Sequence, residues 1–229
     1  MKPRQRALLL HQRLAAIYSA PRTLLQYSSS FELLIAVILS AQTTDAQVNR
    51  VTPALFRAYP TPADLAAADL TEVEGIIHSV GFFRNKARSI AAAAAAVHER
   101  FDDAVPIDMD ELLTIPGVGR KSANVVRAAL QGLPAVIVDT HFRRVAQRLG
   151  LTDKNDPLRI ERDLAEVIPE EVQTPLSMEL NFHGRDTCTS RNPACPRCVL
   201  RDVCPYALGA DAIEADSIEA DTKSDESAG

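Results

Sequence analysis

The chain has 229 residues, 46% of them hydrophobic, and a formal net charge of −5. That length suits one large domain or two small ones with a real core, and the acidic balance excludes a uniformly basic nucleic-acid binder. The longest apolar run, Leu33–Leu39, is far too short to cross a bilayer, and the basic start Met1–Arg6 leads into no apolar stretch long enough for a secretory signal, because His11, Gln12 and Arg13 interrupt it. A soluble, cytoplasmic protein without a membrane partner is expected.

Alanine is abundant and Trp is absent, which favours helix over sheet. Ala7, Leu10, Leu14 and Ile17 recur at helical spacing and predict an amphipathic helix ending near Pro21. Phe31–Leu39 is apolar on nearly every side and would suit a buried strand or a buried helix. Helix is preferred, because Ser30 can cap it and it runs into Ser40-Ala41-Gln42 without a turn signal. Thr43–Tyr59 reads as the next helix, with Asp45 as its N-cap. Thr61-Pro62 opens another, the proline at a first-turn position. Thr71–Ser79 reads as a short helix stopped by Gly81, and Asn85–Arg100 as a long one in which Ala91–Ala96 predicts close packing. Asp108 and Glu111 can form a reciprocal cap. The helix after it is broken by Pro116-Gly117-Val118-Gly119 and resumes over Arg120–Leu130. Asp139 starts a helix to Leu149, and Glu161–Val167 and Leu176–Asn181 supply two more. No strand is evident, so the fold class is all-α.

Charge is unevenly placed. From Leu208 onward seven acids face Lys223 alone, a net −6 that leaves Met1–Ala207 at +1. The last stretch, 208–229, reads as an acidic, disordered tail. Any nucleic-acid surface on the body is therefore a local patch.

All four cysteines, Cys188, Cys195, Cys198 and Cys204, fall in one short segment. Disulfides belong to small secreted scaffolds, which this chain does not resemble. Structural zinc sites pair two Cys-x-x-Cys corners, and only Cys195–Cys198 is one. An iron–sulfur cluster on four thiolates fits best, although the spacing matches neither common ferredoxin pattern. The second signal is Leu112–Val126. There a two-glycine turn joins two helices, and Gly117 and Gly119 can take positive φ and bring main-chain N–H groups close to a phosphate at a helix N-terminus. Ile115 and Val118 would pack the hairpin, whose plainer reading is an ordinary helix–turn–helix corner.

This hairpin, with Ser40-Ala-Gln-Thr-Thr-Asp45, Val138-Asp-Thr-His141 and the cysteine spacing, resembles the endonuclease III family of helix-hairpin-helix DNA glycosylases over roughly Phe31–Tyr206. The resemblance implies two helical domains with a DNA-binding cleft between them. Residues 22–133 would form a bundle carrying the hairpin (about 112–126), and residues 1–21 with 134–207 would form the cluster domain. It implies a 4Fe–4S cluster on the four cysteines. It also implies a monomeric, nucleoid-associated enzyme, if bacterial, acting on double-stranded DNA with damaged pyrimidines or abasic sites.

By the same likeness Lys121 attacks the sugar C1′, and Asp139 stabilises the cationic charge developing there. A free lysine has a pKa of about 10.4, so only about one in a few thousand is neutral at pH 7. A helix N-terminus and desolvation would both favour the neutral amine. Gln42 and Phe82 would fill the gap left by the flipped nucleotide, with phenylalanine where the family more often has leucine. Core packing is the plain reading of Phe82 and Phe83. Thr44 and Asp45 would shape the pocket. Gly117, Val118, Gly119, Arg120, His141, Arg144 and Arg191, with Arg197 near them, would meet the DNA backbone. The implied function is a bifunctional DNA glycosylase and abasic-site lyase. The alternatives are a monofunctional mismatch glycosylase, which would lack Lys121, and a non-catalytic hairpin DNA-binding protein.

Overall fold

The computed structural model describes residues 1–19 and 23–209. No strand occurs among them, and none of their helices is long and apolar enough to cross a membrane. The chain divides into two compact units, residues 22–133 and residues 1–21 with 134–229. Pro21 and the acidic stretch from 210 onward lie outside the described residues. Leu208, expected to open the disordered tail, instead continues a helical turn, its N–H donating to the Cys204 carbonyl at 3.1 Å.

The 22–133 unit is built around α2 (Ser30–Leu39), eight of whose ten residues are buried. A helix apolar on every side is stable only when wrapped by others. α3 (Asp45–Ala58), α5 (Leu70–Ile77), α6 (Phe83–Phe101) and α8 (Arg120–Gln131) supply much of that wrapping. The short α4 (Pro62–Ala66) and α7 (Met109–Leu113) close the corners. Each fully buried Leu or Ile here, such as Leu33, Leu34 and Ile90, contributes about 1.5–3 kcal/mol.

Several boundaries depart from expectation for local reasons. Ser29, not Ser30, caps α2, accepting from the Glu32 N–H at 3.1 Å. The helix ends at Leu39 instead of running on, because the chain turns back at Gln42 with φ +54°. Thr44, not Asp45, caps α3. The Asp108 cap on α7 is one-way, its carboxylate accepting from the Asp110 and Glu111 N–H groups.

In the other unit, α1 (Pro3–Ala15) buries Ala7, Leu10 and Leu14. Ile17, beyond the helix end, is left 49% exposed. α9 (Thr140–Arg148), α10 (Pro157–Val167) and α11 (Glu170–Asp186) complete the helices around Phe142 and Leu176. α10 starts four residues before its expected place, because Asp156 caps it and Pro157 takes the first turn. α11 runs straight through Pro175. The proline costs one backbone bond near the N-terminus, which burial of Val172, Leu176 and Leu180 outweighs.

α9 and α11 approach closely at Gly184, where an added Cβ would stand 3.0 Å from His141 Cβ and 3.1 Å from Val145 Cγ2. Gly184→Ala gains about 1 kcal/mol of helix propensity, but overpacking against two rigid neighbours costs about 1–3 kcal/mol. The expected outcome is a net loss of up to about 2 kcal/mol in chemical denaturation, with an unchanged m-value.

Candidate active site and cluster loop

The glycine turn leads directly into the functional end of α8. Gly117 has φ +80°, and a Cβ there would meet Ile38 Cγ2 at 3.1 Å and Ser89 Cβ at 3.4 Å. Only glycine allows both the conformation and the approach. Gly119 keeps an ordinary φ of −97°, so the expectation of two positive-φ glycines holds for Gly117 alone. Ile115 and Val118 are buried beneath the turn. Gly119 is the N-cap of α8 and provides no side-chain cap, and the first turn carries no acid. The N–H groups there keep their partial positive charge for an anion.

Lys121 is the second residue of that helix, and its side chain is exposed. It has no hydrogen-bond or ion-pair partner among the described residues. Arg120 is half-buried at the first position of α8.

Gln42 and Phe82 lie on neighbouring turns of the same unit. Both are non-glycine residues in the left-handed region, φ +54° and +58°. Phe82 is 67% exposed, which removes the core-packing reading for it, whereas Phe83 packs against the core. Gly81 lies against the Gln42 carbonyl, to which an added Cβ would come within 3.7 Å.

What braces these turns is Lys86, which carried no signal in the sequence beyond its place in a basic helix start. Its ammonium is buried and donates to the Leu39 carbonyl at 2.8 Å and to Thr43 Oγ1 at 2.5 Å. Burial pushes its pKa down. Gln47 Nε2 adds a 2.6 Å bond to Ser79 Oγ. Thr44 is spent on the α3 cap, and Asp45 follows it half-buried.

In the other unit Asp139 caps α9, its Oδ1 accepting the Phe142 N–H at 2.7 Å. Its Oδ2 accepts from the side-chain amide of Asn181 on α11. Asn181, distant in sequence, was not foreseen. His141 is half-buried with Nδ1 beside Arg144. Arg144, expected at DNA, spends its guanidinium inside the unit, on the Gly184 carbonyl at 2.7 Å and the Cys188 carbonyl at 3.2 Å. Arg191 and Arg197 are exposed on the cysteine loop.

The four cysteines are free thiols lining one cavity, with His183, Arg148 and Tyr206 on its wall. Among the described residues no three such donors converge tightly enough to hold a single metal ion. Burial, with repulsion from the neighbouring cysteines, pushes the Cys198 and Cys204 thiols up. Four thiolates are tolerable here only around a cationic centre. The donor set therefore fits an iron–sulfur cluster.

Arg148 secures the loop. It donates to the Cys188 Sγ at 3.2 Å, the Thr189 carbonyl at 2.7 Å and the Ser190 carbonyl at 3.0 Å, and its guanidinium lies 4.4 Å from the Tyr206 ring centroid.

Comparison with known proteins agrees with this architecture. The family model described as "HhH-GPD superfamily base excision DNA repair protein" matches residues 35–170. "Iron-sulfur binding domain of endonuclease III" matches residues 188–204. The chain is 49% identical to endonuclease III of Synechocystis sp. over 205 residues, covering 89% of this chain and 94% of that one. It is 39% identical to endonuclease III of Escherichia coli, covering 83% and 90%. A solved structure of a trapped endonuclease III–DNA covalent intermediate matches with TM-score 0.86 and 41% identity, over 92% of this chain and 99% of that one. A thermostable thymine-DNA glycosylase shares the fold at TM-score 0.80 and 20% identity.

Lysine is a point charge that cannot reproduce the planar fork of Arg148. Arg148→Lys is expected to lose most of its bound iron and sulfide on purification and on mild chelation. Iron per chain and the visible iron–sulfur absorbance check this.

Proposed function

The chain belongs to the endonuclease III family and is a bifunctional DNA glycosylase and abasic-site lyase carrying a 4Fe–4S cluster; from that premise we propose that Lys121 is its nucleophile and Asp139 its electrostatic partner. The observation that carries this reading is the exposed Lys121 amine in the first turn of α8, directly beyond a glycine turn that offers N–H groups to a phosphate. Lys121 lies in the 22–133 unit and Asp139 in the other.

The substrate is duplex DNA holding an oxidised, ring-saturated pyrimidine or an abasic site, and the enzyme acts as a monomer on chromosomal DNA in the cytoplasm. Flipping the nucleotide costs a few kcal/mol of unstacking, least for a damaged base. Gln42 and Phe82 enter the vacated stack. The neutral Lys121 amine bonds to C1′ while the C1′–N bond to the base breaks, and the base leaves with its bonding electrons and takes up a proton. The Asp139 carboxylate faces the positive charge that builds on the sugar during this step. The sugar ring opens as the amine forms a Schiff base with C1′. Loss of a C2′ proton then expels the 3′-phosphate with the C3′–O bonding pair. Water releases Lys121 from the unsaturated aldehyde. Cys188, Cys195, Cys198 and Cys204 would hold the cluster, which would serve structure and not these steps, and the loop they close carries the exposed Arg191 and Arg197 that would meet phosphates.

Incubating an abasic duplex with the protein and borohydride is the direct test. Wild type is expected to give a covalent adduct, and Lys121→Ala none. An adduct of equal yield with Lys121→Ala, or none with wild type, would overturn the assignment. Asp139→Asn is expected to slow release of a ring-saturated pyrimidine by about 10²–10⁴-fold, measured in single turnover.

A further inference from the structure

A carboxylate that must face a transient cation needs a fixed plane, and a single hydrogen bond does not fix one. The terminal torsion of an aspartate is broad and roughly two-fold. The cap on α9 holds only Oδ1 of Asp139, through the Phe142 N–H. Oδ2 is held by the Nδ2 amide of Asn181, which comes from a different helix, α11. The two helices are locked together at Gly184, where there is no room even for a Cβ.

We propose that Asn181 is the positioning residue for Asp139, an amide that clamps the second carboxylate oxygen and so sets the face Asp139 turns to the reacting sugar. The inference rests on Asp139 acting at the sugar, as proposed above. The residue type matters. A neutral amide donates to the carboxylate without cancelling its charge. Arginine or lysine at 181 would form an ion pair and spend the field that the developing cation needs. Leucine would leave Oδ2 unpaired, and aspartate would set two acids against each other. Charged groups on the same two helices are engaged elsewhere, among them Glu179, whose Oε2 meets His11 Nδ1 at 2.9 Å. Arg144 is held by the Gly184 and Cys188 carbonyls, with His141 Nδ1 against it. Arg143 donates to the Asn155 carbonyl, and His183 lies against Cys198.

The test uses the full-length holoenzyme on two substrates. On a duplex with a ring-saturated pyrimidine, Asn181→Leu is expected to slow single-turnover base release by about 10- to 100-fold. Duplex affinity should be unchanged. On a preformed abasic duplex no base has to leave, so borohydride trapping should stay within a few-fold of wild type. In an Asp139→Asn background, Asn181→Leu should add no further loss, because the two side chains act as one unit. Asn181→Asp keeps the side-chain size and serves if the leucine variant folds poorly. Its acid limb for base release should move up by about one pH unit or more, since adjacent carboxylates share a proton.

Wild-type release by Asn181→Leu, full additivity with Asp139→Asn, or an unmoved acid limb in Asn181→Asp would each overturn the role of Asn181. Absence of trapping by the wild-type enzyme is a separate result and would remove the Lys121 assignment instead.

Discussion

The seating of one glycine governs the 22–133 unit. Gly117 runs at φ +80° with its Cα pressed toward Ile38 and Ser89, so the turn before α8 is pinned to the most deeply buried helix of the unit and to its long neighbour. α2 is apolar around its whole circumference and has no freedom to shift without opening the core. The N-terminus of α8 inherits that rigidity. The amine of Lys121 is thus free in solvent while the backbone bearing it is held fast. The nucleophile role proposed for Lys121 would benefit from that combination, because orientation is fixed before the ligand arrives.

Strain in the same unit is placed where it can be used. Gln42 and Phe82 sit in a region that costs an L-residue about 1–2 kcal/mol, and nothing in their own side chains compensates. The compensation comes from Lys86. Burying an ammonium is expensive, and its lowered pKa records that cost. Two well-placed acceptors, the last carbonyl of α2 and the Thr43 hydroxyl, recover it by fixing the turn that bears Gln42. A polar buttress thereby supports a strained, exposed loop.

Legibility in the sequence followed the range of the interactions. Period and composition located nearly every helix, the cysteine spacing pointed to the cluster loop, and Leu112–Val126 to the glycine turn before α8, because each is encoded by neighbouring residues. Helix starts were misplaced by one to several residues where two capping residues compete, as at Ser29 and Ser30 or Thr44 and Asp45. The helix expected over Leu176–Asn181 runs from Glu170 to Asp186 with Pro175 inside it, which tertiary burial makes tolerable. Asn181, Lys86 and Arg148 were invisible for another reason. Each matters through a partner 40 or more residues away, and a lone Asn, Lys or Arg in a helix carries no pattern. Arg144, expected at the DNA backbone, also meets the Gly184 and Cys188 carbonyls, partners that no local pattern announces.

Those long-range polar contacts also explain how a loop with little regular structure can hold a cluster. Residues 187–204 contain only two short 3₁₀ turns, Cys195–Arg197 and Arg201–Val203, and leave many carbonyls without helical partners. Side chains of arginine satisfy several of them. Arg148 takes Thr189 and Ser190, Arg144 takes Cys188, Arg13 takes Val199, and Arg6 takes Val203. The donors come from α1 and α9, which belong to the same apolar core as Leu200 and Cys204. Arg148 alone of the four also reaches a cysteine sulfur, donating to Cys188 Sγ at 3.2 Å, so it serves both the carbonyls and the cysteine cavity. Cluster and helices are in that sense a single folding unit. The arginines of α1 and α9 pair with carbonyls of the cysteine loop, so loop closure and the packing of these helices are coupled.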